Sequence, residues 1–412
     1  MRILMICQYF WPETFGPGVW KREMTEWLVQ RGHRVTMLTA FPHYPKGVIF
    51  PDYQGRFFQM EDFHGISVIR TWIYAVPRQQ GILQRMLGYG SFSASLLAGG
   101  LVAFRPDVVI YLSSPLPGAI TAWLVSQWHR VPFLVSVQDI EPERSVELGL
   151  LKNKTLIRVF EWMERFVYRK ADRICVISEG MRNRMIAKGV PPEKLRVTYN
   201  WADENAIRPL PKAASVRGEL GIEDKFVVVY SGNMGYTMAD LETVVDAAKV
   251  VQDDPDIHFL LVGEGVRREP IEQRAAGLTN VTFMDFQPLE RLPLVLAAGD
   301  VCLVIISREG THVSVPSKTY SVMAAGRALL AICEDVNDTA RVVREAQCGS
   351  VVHPGDVAGL AQAIRSYREY PQQAAEQGRR ARDYFEQHFT LQAGATRYAE
   401  VMQEVIEEAA RR

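Results

Sequence analysis

The chain has 412 residues, of which 48% are hydrophobic and 23% charged, values typical of a folded globular protein of about two domains. They exclude a disordered chain, a collagen-like repeat and a polytopic membrane protein. Lysine plus arginine and aspartate plus glutamate each number 47, so the formal net charge is zero and no nucleic-acid partner is expected.

The cysteine and histidine patterns indicate neither disulfides nor a metal site. Five cysteines lie far apart without a C-x-x-C pair, which is typical of buried thiols in a reducing compartment. The eight histidines lack the spacing of zinc ligands, and we expect neither a metal nor a cofactor. The apolar run at residues 1–7 is too short for a signal peptide, so we expect a buried first strand and a cytoplasmic protein.

Apolar, strand-like runs alternate with helical patterns along the first half of the chain. The predicted strands are 2–7, 34–39, 107–112, 132–137, 173–177 and 194–199. The predicted helices lie near 19–31, 79–104, 116–129, 152–170 and 179–188. Short apolar strands that alternate with helices predict a parallel sheet with helices on both faces.

A second series of the same kind follows. Its predicted strands are 225–231, 257–262, 281–284, 301–306, 328–332 and 349–352. Its predicted helices lie near 238–252, 267–276, 289–298, 317–325, 337–346 and 356–369. The segment between the two series, residues 200–212, contains Pro209 and Pro211 and little periodic apolar character, which predicts a linker.

The fold class is therefore α/β, with two doubly wound, Rossmann-like domains whose parallel sheets face a central cleft. We expect the first domain at residues 1–205 and the second at 206–385. A C-terminal helix within 386–412 is expected to cross back onto the first domain.

Glycine-rich loops follow several of the predicted strands. Ligands of open α/β sheets bind beyond the carboxyl ends of the strands, where glycines let backbone N–H groups approach an anion. These loops contain Gly16 and Gly18, then Gly232, Asn233 and Gly235, then Gly263 and Glu264. Any one loop is equally well explained as a turn, but three of them at one cleft indicate an anionic ligand.

A further anion site is predicted where a helix begins after residues 314–318 (SVPSK). Pro316 or Ser317 can open that helix, and its free N–H groups, the Ser317 hydroxyl and the Lys318 ammonium would converge on a pyrophosphate. Arg308, in the preceding loop, adds a second cation. The alternative is an ordinary capped surface helix. A dinucleotide-dependent dehydrogenase is disfavoured because no tight G-x-G-x-x-G is followed by an acid at the end of the next strand.

With these residues the chain resembles glycosyltransferase family 4, whose members have the two-domain GT-B fold. Residues 9–13 (YFWPE) and 31–35 (RGHRV) are similar to the family's opening signature. The segments that resemble its WbuB/WcaI-like branch, which makes bacterial surface polysaccharides of the colanic-acid and O-antigen type, are 41–45 (FPHYP), 138–143 (QDIEPE), 230–235 (YSGNMG) and 315–318 (VPSK). The similarity extends over nearly the whole chain.

The resemblance implies metal-independent transfer of a sugar from a UDP- or GDP-sugar, with retention of the anomeric configuration, to a glycan acceptor linked to a polyprenyl diphosphate. By position in the family's motifs, Asp139 would touch the transferred sugar, while Lys318 and Arg308 would hold the diphosphate. The implied donor-binding residues are Gly16, Gly18, Gly232, Asn233, Gly235, Gly263, Glu264, Phe286, Gln287, Ser314, Ser317 and Ser321.

The chain departs from the family pattern in two places. Many relatives carry two glutamates eight residues apart near the helix that follows residues 314–318, where this chain has Val313 and Ser321. Many also carry a basic pair after the first glycine turn of the second domain, where this chain has uncharged residues. The expected substitutes are Glu264 or Glu309 for the carboxylates, and Lys318 and Arg308 for the cations.

Two segments predict contact with a membrane surface. Residues 86–104 contain no charged side chain, but their four glycines and three serines favour a buried or interfacial helix over a membrane span. Residues 151–170 carry six basic and two acidic side chains beside an apolar stripe, which fits an anionic lipid surface or an ordinary amphipathic helix. A lipid-linked acceptor favours the former, so we expect peripheral association with the inner face of the plasma membrane.

Two other functions are compatible with the sequence. A nucleotide-sugar epimerase of the same fold needs acid and base groups in the cleft, for which His43, His312 and Asp139 are the candidates. A non-catalytic partner that kept the fold would explain the missing glutamates. Turnover of a nucleotide sugar with and without acceptor distinguishes the three functions.

Overall fold

A computed structural model describes residues 1–13, 19–77, 81–113, 115–147, 149, 151–235, 240–306 and 317–411. The chain forms two compact units. Unit 1 comprises Met1–Tyr199 and Gly394–Arg412, and unit 2 comprises Asn200–Ala393. The divisions thus fall after Tyr199 and before Gly394, whereas the ranges expected from the sequence end at residues 205 and 385.

Unit 1 contains an eight-stranded sheet in the order β3-β4-β2-β1-β5-β6-β7-β8. Its strands are β1 (Arg2–Ile6), β2 (Arg34–Ala40), β3 (Phe58–Phe63), β4 (Ile66–Thr71), β5 (Val108–Leu112), β6 (Phe133–Val137), β7 (Arg173–Val176) and β8 (Leu195–Val197). Its helices are α1 (Val19–Gln30), α2 (Ile82–Val102), α3 (Leu116–His129), α4 (Glu143–Glu147), α5 (Lys154–Lys170) and α6 (Glu179–Ala187). The central strands β1, β5 and β6 are almost wholly buried because helices cover both faces of the sheet.

The edge of this sheet differs from the sequence prediction, which contained neither β3 nor β4. Strand β3 runs antiparallel to β4, whereas all other pairs in the sheet are parallel. Residues 58–62 alternate between exposed and half-buried, with Glu61 and Asp62 among them, and only Phe63 is buried, so β3 lacks the continuous apolar run that marks the inner strands. An edge strand with one solvated face gives the weakest sequence signal of any strand in the sheet.

Unit 2 contains a six-stranded, fully parallel sheet in the order β11-β10-β9-β12-β13-β14. Its strands are β9 (Phe226–Ser231), β10 (Ile257–Val262), β11 (Val281–Met284), β12 (Val301–Ile305), β13 (Ala328–Ile332) and β14 (Gly349–Val352). Its helices are α7 (Arg217–Leu220), α8 (Leu241–Val250), α9 (Arg268–Arg274), α10 (Leu292–Ala297), α11 (Ser317–Ala324), α12 (Asp338–Ala346), α13 (Val357–Glu369) and α14 (Pro371–His388). All six strands agree with the sequence prediction.

The C-terminal part of the chain contributes residues to both units. Helix α14, which the sequence analysis did not predict, packs on α11 and β13 of unit 2. Helix α15 (Leu391–Arg411) follows, and its residues from Gly394 onward belong to unit 1. There the Tyr398 hydroxyl lies 2.7 Å from Ser136 Oγ, and Glu404 accepts hydrogen bonds from Arg173. Among the helices in the described ranges, none combines the length and apolarity needed to cross a bilayer.

Candidate functional site

The strand order of unit 2 places a crevice at one position. From β9 the chain proceeds to β10 and β11 on one side, and then returns to the other side of β9 to form β12, β13 and β14. The topological switch point therefore lies between β9 and β12, and ligands of such sheets bind outside the carboxyl ends of the strands there. The loop after β9 and helix α11, which follows β12, flank this point.

Lys318, the second residue of α11, reaches the end of β9. Its Nζ donates a hydrogen bond of 2.7 Å to the hydroxyl of Tyr230 and lies 4.2 Å from the centroid of that ring. The Tyr230 hydroxyl in turn donates to the carbonyl oxygen of Asn233, at 2.8 Å. Burial lowers the pKa of Lys318 to about 8, and it raises the pKa of Tyr230. The switch point thus holds an ammonium group whose position is set by its contacts with Tyr230.

Gly232 provides the space that this lysine occupies. A Cβ on Gly232 would overlap the Cε and Nζ atoms of Lys318, and the φ of 156° also favours glycine. The Gly232 N–H donates to the carbonyl oxygen of Val262, at 2.9 Å, and is therefore already used. Gly232 belongs to the site because it lacks a side chain, and a role as an N–H donor to phosphate does not fit this geometry.

The two glycine loops of unit 2 are joined through their backbones. The Met234 N–H donates to the Glu264 carbonyl at 2.9 Å, and the Gly263 N–H donates to the Met284 carbonyl at 3.0 Å. A Cβ on Gly263 would overlap the carbonyl oxygen of Gly232, so the loops approach more closely than side chains would allow. The glycines expected to face phosphates therefore form a compact backbone platform beside Lys318.

Arg268, which the sequence analysis did not select, links the loops after β10 and β11. Its guanidinium donates to the Gly263 carbonyl at 3.1 Å and pairs with Glu272 at 2.8 Å and Asp285 at 2.7 Å. It also pairs with the carboxylate of Glu264. No motif in the sequence marks this arginine, because its partners come from three different segments.

The side chains of the other predicted donor residues of unit 2 form no hydrogen bond with the Lys318 ammonium among the described residues. Glu264 is engaged with Arg268, and its side chain remains 56% exposed. Phe286 is also exposed, and Gln287 donates to the Asp285 carbonyl at 3.0 Å. Ser317 is exposed at the start of α11, and Ser321 donates to its carbonyl at 3.3 Å.

Gly235 and Asn233 are neighbours in the loop after β9, and a Cβ on Gly235 would lie 3.2 Å from Asn233 Oδ1. Four predicted site residues lie outside the described residues: Gly16, Gly18, Arg308 and Ser314. The same holds for the remaining alternatives His312 and Glu309. Within the described ranges, no three His, Cys, Asp or Glu side chains converge as metal ligands.

Asp139 follows β6 at the carboxyl edge of the unit 1 sheet. Its Oδ2 accepts a hydrogen bond of 2.7 Å from Arg144, and burial raises its pKa to about 6 despite this cation. It lines a small pocket with Tyr111, Glu141 and Tyr168. Glu143, in the QDIEPE segment that follows β6, pairs with Arg184 at 2.9 Å.

A second carboxylate at this edge is Glu13, the last residue of the YFWPE segment, which was not among the predicted site residues. It is 4% exposed and accepts three backbone N–H groups, from Phe10 at 3.0 Å, His43 at 2.9 Å and Tyr44 at 2.8 Å. It thereby joins the loops after β1 and β2. The sequence signal for Glu13 was an acidic residue at the end of an apolar run. Its partners His43 and Tyr44 were not predictable, because they lie about 30 residues away in the loop after β2.

His43, a candidate acid or base, is buried between these loops. Its Nδ1 lies 2.7 Å from the Phe41 carbonyl oxygen, and its Nε2 lies 3.3 Å from Gln8 Nε2. Both ring nitrogens therefore have partners within the protein, which favours a structural role for this histidine.

Comparison with known proteins agrees with this architecture. Residues 15–201 match the family described as "Glycosyl transferase 4-like domain", and residues 225–369 match "Glycosyl transferases group 1". WcaI of Escherichia coli K12, whose name assigns it to colanic acid biosynthesis as a glycosyl transferase, is 31% identical over 79% of this chain and 82% of its own length. WbjE of Pseudomonas aeruginosa, named as a glycosyltransferase, is 29% identical over 64% of this chain and 66% of its own length.

Solved structures share the fold at lower identity. Alr3699/HepE of Anabaena, crystallised with UDP, superposes with a TM-score of 0.71 at 19% identity, covering 98% of this chain and all of that one. WaaG, a glycosyltransferase involved in lipopolysaccharide biosynthesis, superposes with a TM-score of 0.61 at 14% identity, covering 98% of this chain and 99% of that one.

Proposed function

This chain belongs to glycosyltransferase family 4, with the GT-B fold, and from that premise we propose that it transfers a sugar from a UDP- or GDP-sugar to a polyprenyl-diphosphate-linked glycan. The transfer retains the anomeric configuration and requires no metal ion. Glycosyl transfer in bacterial surface-polysaccharide synthesis follows from the family and its WcaI-like relatives. The observation that carries the finer proposal is the half-buried Lys318 ammonium, held by the Tyr230 hydroxyl at the switch point of unit 2.

The chemistry of the reaction explains why a buried cation matters. When the bond between the sugar and the diphosphate breaks, negative charge grows on the leaving diphosphate. A fixed cation in a site of low dielectric constant stabilises that charge without the cost of reorienting water, and one such group is worth about 2.7–4 kcal/mol. In the proposal, Lys318 supplies this stabilisation in unit 2, and the sequence-predicted residues Arg308 and Ser314 add to it.

Asp139 acts on the acceptor side in this proposal. A carboxylate with a pKa of about 6 is mostly ionised at pH 7, yet it is basic enough to accept the proton of a sugar hydroxyl. Its pairing with Arg144 at 2.7 Å helps to hold it in the ionised form. It therefore hydrogen-bonds the transferred sugar or the acceptor hydroxyl.

For the donor, UDP-sugars are the first candidates. The HepE structures, which share this fold, contain UDP and UDP-glucose. GDP-sugars are the second candidates.

Peripheral membrane contact through unit 1 completes the proposal. The outer face of α5 exposes Val159 and Trp162 among Arg158, Arg165 and Arg169, and α3 exposes Trp128. Exposed tryptophans among basic side chains suit the interface of an anionic membrane at the cytoplasmic face. We expect the protein to sediment with vesicles that contain anionic phospholipid, to be released by high salt, and to remain in solution with neutral vesicles.

The decisive experiment begins with a donor screen. UDP- and GDP-sugars are tested for thermal stabilisation, because a ligand that binds only the native state raises the melting temperature. The stabilising donor is then incubated with lipid-linked acceptors in the presence of EDTA, and the anomer of the product is determined by NMR. Transfer with retention is expected. An inverted product, dependence on added metal, or donor isomerisation without acceptor would contradict the proposal.

A further inference from the structure

We propose that Tyr230 is a positioning residue, whose hydroxyl aims the Lys318 ammonium at the leaving diphosphate and ties it to the loop after β9. The inference rests on the proposed role of Lys318. Tyr230 lies in the buried strand β9, whereas the site residues predicted from the sequence lie in loops and at the start of a helix.

The direction of the hydrogen bonds supports this role. A tyrosine hydroxyl has one proton, and here that proton is donated to the Asn233 carbonyl at 2.8 Å. Only the oxygen lone pairs remain for Lys318, which donates to them at 2.7 Å. Because donation to Asn233 polarises the hydroxyl, its oxygen becomes a better acceptor for an ammonium group. The chain of bonds therefore favours the charged form of the lysine.

A lysine at this place needs such a partner. Its long, flexible side chain loses rotamer entropy when it is held in one conformation. The missing side chain of Gly232 opens the path for the lysine, and Tyr230, with none of its surface exposed, ends that path. An ammonium has three N–H donors, so binding to Tyr230 leaves donors for phosphate oxygens in the proposed complex.

The test is the Tyr230→Phe variant, which keeps the ring and removes the hydroxyl. We expect kcat/KM for the nucleotide sugar to fall about 10- to 100-fold, the range for loss of a hydrogen bond to a charged group. We also expect the fall of kcat/KM at alkaline pH to begin at lower pH than in the wild type. The loss of an acceptor for the ammonium lowers the pKa of Lys318 further. A purely structural defect would not shift the alkaline limb of the pH profile, which is the fall of kcat/KM at high pH.

Tyr367→Phe is the matched control. Tyr367 is a buried tyrosine of unit 2, and its hydroxyl lies 2.7 Å from both Ser350 and Gln377, far along the chain from the site. Both variants should lose similar thermal stability, because each loses a buried hydroxyl with two partners. Only Tyr230→Phe should change kcat/KM and the pH profile.

A double-mutant cycle makes the result independent of folding yield. In a Lys318→Ala background, the additional Tyr230→Phe change should leave kcat/KM per folded molecule unchanged, since there is no ammonium left to position. Independent, additive losses would overturn the inference, and so would a Tyr230→Phe single variant with the activity and alkaline limb of the wild type. If Lys318→Ala alone retains full activity, the proposed cation role fails first, which distinguishes the two failures.

Discussion

The carboxyl edges of the two sheets differ in charge although the units share one architecture. Unit 2 presents a half-buried cation, Lys318, at its switch point, beside loops that are joined through their backbones. Unit 1 presents buried or half-buried carboxylates, Glu13 and Asp139. A diphosphate needs positive charge, whereas an acceptor hydroxyl needs a group that takes its hydrogen bond. Under the proposed function, the same fold would serve a different substrate in each unit through a few residues at the strand ends.

The two edges also hold their charged groups differently. Among the described residues, the Lys318 ammonium has the single hydroxyl of Tyr230 as its hydrogen-bond partner, and its pKa falls to about 8. Glu13 accepts three backbone N–H groups from two loops. The first arrangement leaves a charge available for a ligand, and the second uses a charge to maintain the loops.

Removal of the cation should have the largest effect. We expect Lys318→Met to lower kcat by about 10²- to 10³-fold, because one preorganised donor to the leaving group is worth about 2.7–4 kcal/mol. Lys249→Met, which changes a solvent-accessible lysine of α8 paired with Asp246, should leave kcat unchanged. Steady-state release of the nucleoside diphosphate measures kcat for both variants. Near-normal turnover of Lys318→Met would contradict the proposed role of Lys318 as the cation at the unit 2 edge.

Glu13→Gln tests the structural role assigned to the unit 1 carboxylate. An amide oxygen can still accept the N–H groups of His43 and Tyr44, but the amide nitrogen would face the N–H of Phe10. One buried donor without a partner costs about 1–3 kcal/mol, so the midpoint of urea unfolding should fall. Glu13→Leu, which leaves all three donors without an acceptor, should be destabilised more. Equal stability of Glu13→Gln and wild type would contradict the assignment.

Gly232→Ala tests whether the glycine serves to accommodate the lysine. The added methyl group would displace Lys318, and we expect about a tenfold loss in kcat/KM for the donor, equivalent to about 1.4 kcal/mol. Gly221→Ala is the control, because Gly221 also has a positive φ but no atom within 4 Å of its Cβ position. Both variants strain the backbone, and only Gly232→Ala should lower donor kcat/KM. Equal losses would assign the effect to strain alone.

The pH dependence joins both edges in one measurement. Asp139 must be ionised to accept the proton of a sugar hydroxyl, and burial moves its ionisation up to about pH 6. Lys318 must keep its proton, and burial moves its loss down to about pH 8. We therefore expect kcat/KM to rise through pH 6 and fall through pH 8. Asp139→Asn should abolish the acidic limb, while a profile that is flat from pH 5 to 10 would exclude both groups.

Much of the fold was predictable because its signals are local. All six strands of unit 2 and the central strands of unit 1 are short apolar runs, and the glycine loops follow them directly. Lys318 was predictable because a serine and a proline before a helical pattern mark a helix start. Strand β3 was missed because a partly solvated edge strand lacks such a run. Strand β4 is buried, but Ser67, Arg70 and Thr71 interrupt its apolar residues.

The sequence by itself therefore determined the alternation of strands and helices, the family, and the presence of a lysine at a helix start. Only the tertiary structure decided what that lysine contacts, because the parallel pairing of β9 with β12 brings Tyr230 and Lys318 together from positions 88 residues apart. The tertiary structure likewise decided that Glu13 accepts hydrogen bonds from loop amides. It also decided that the guanidinium of Arg268 pairs with the carboxylate of Glu264. Local patterns record which face of a segment is apolar, whereas the partner of a polar group is set by which distant segment the sheet order places beside it.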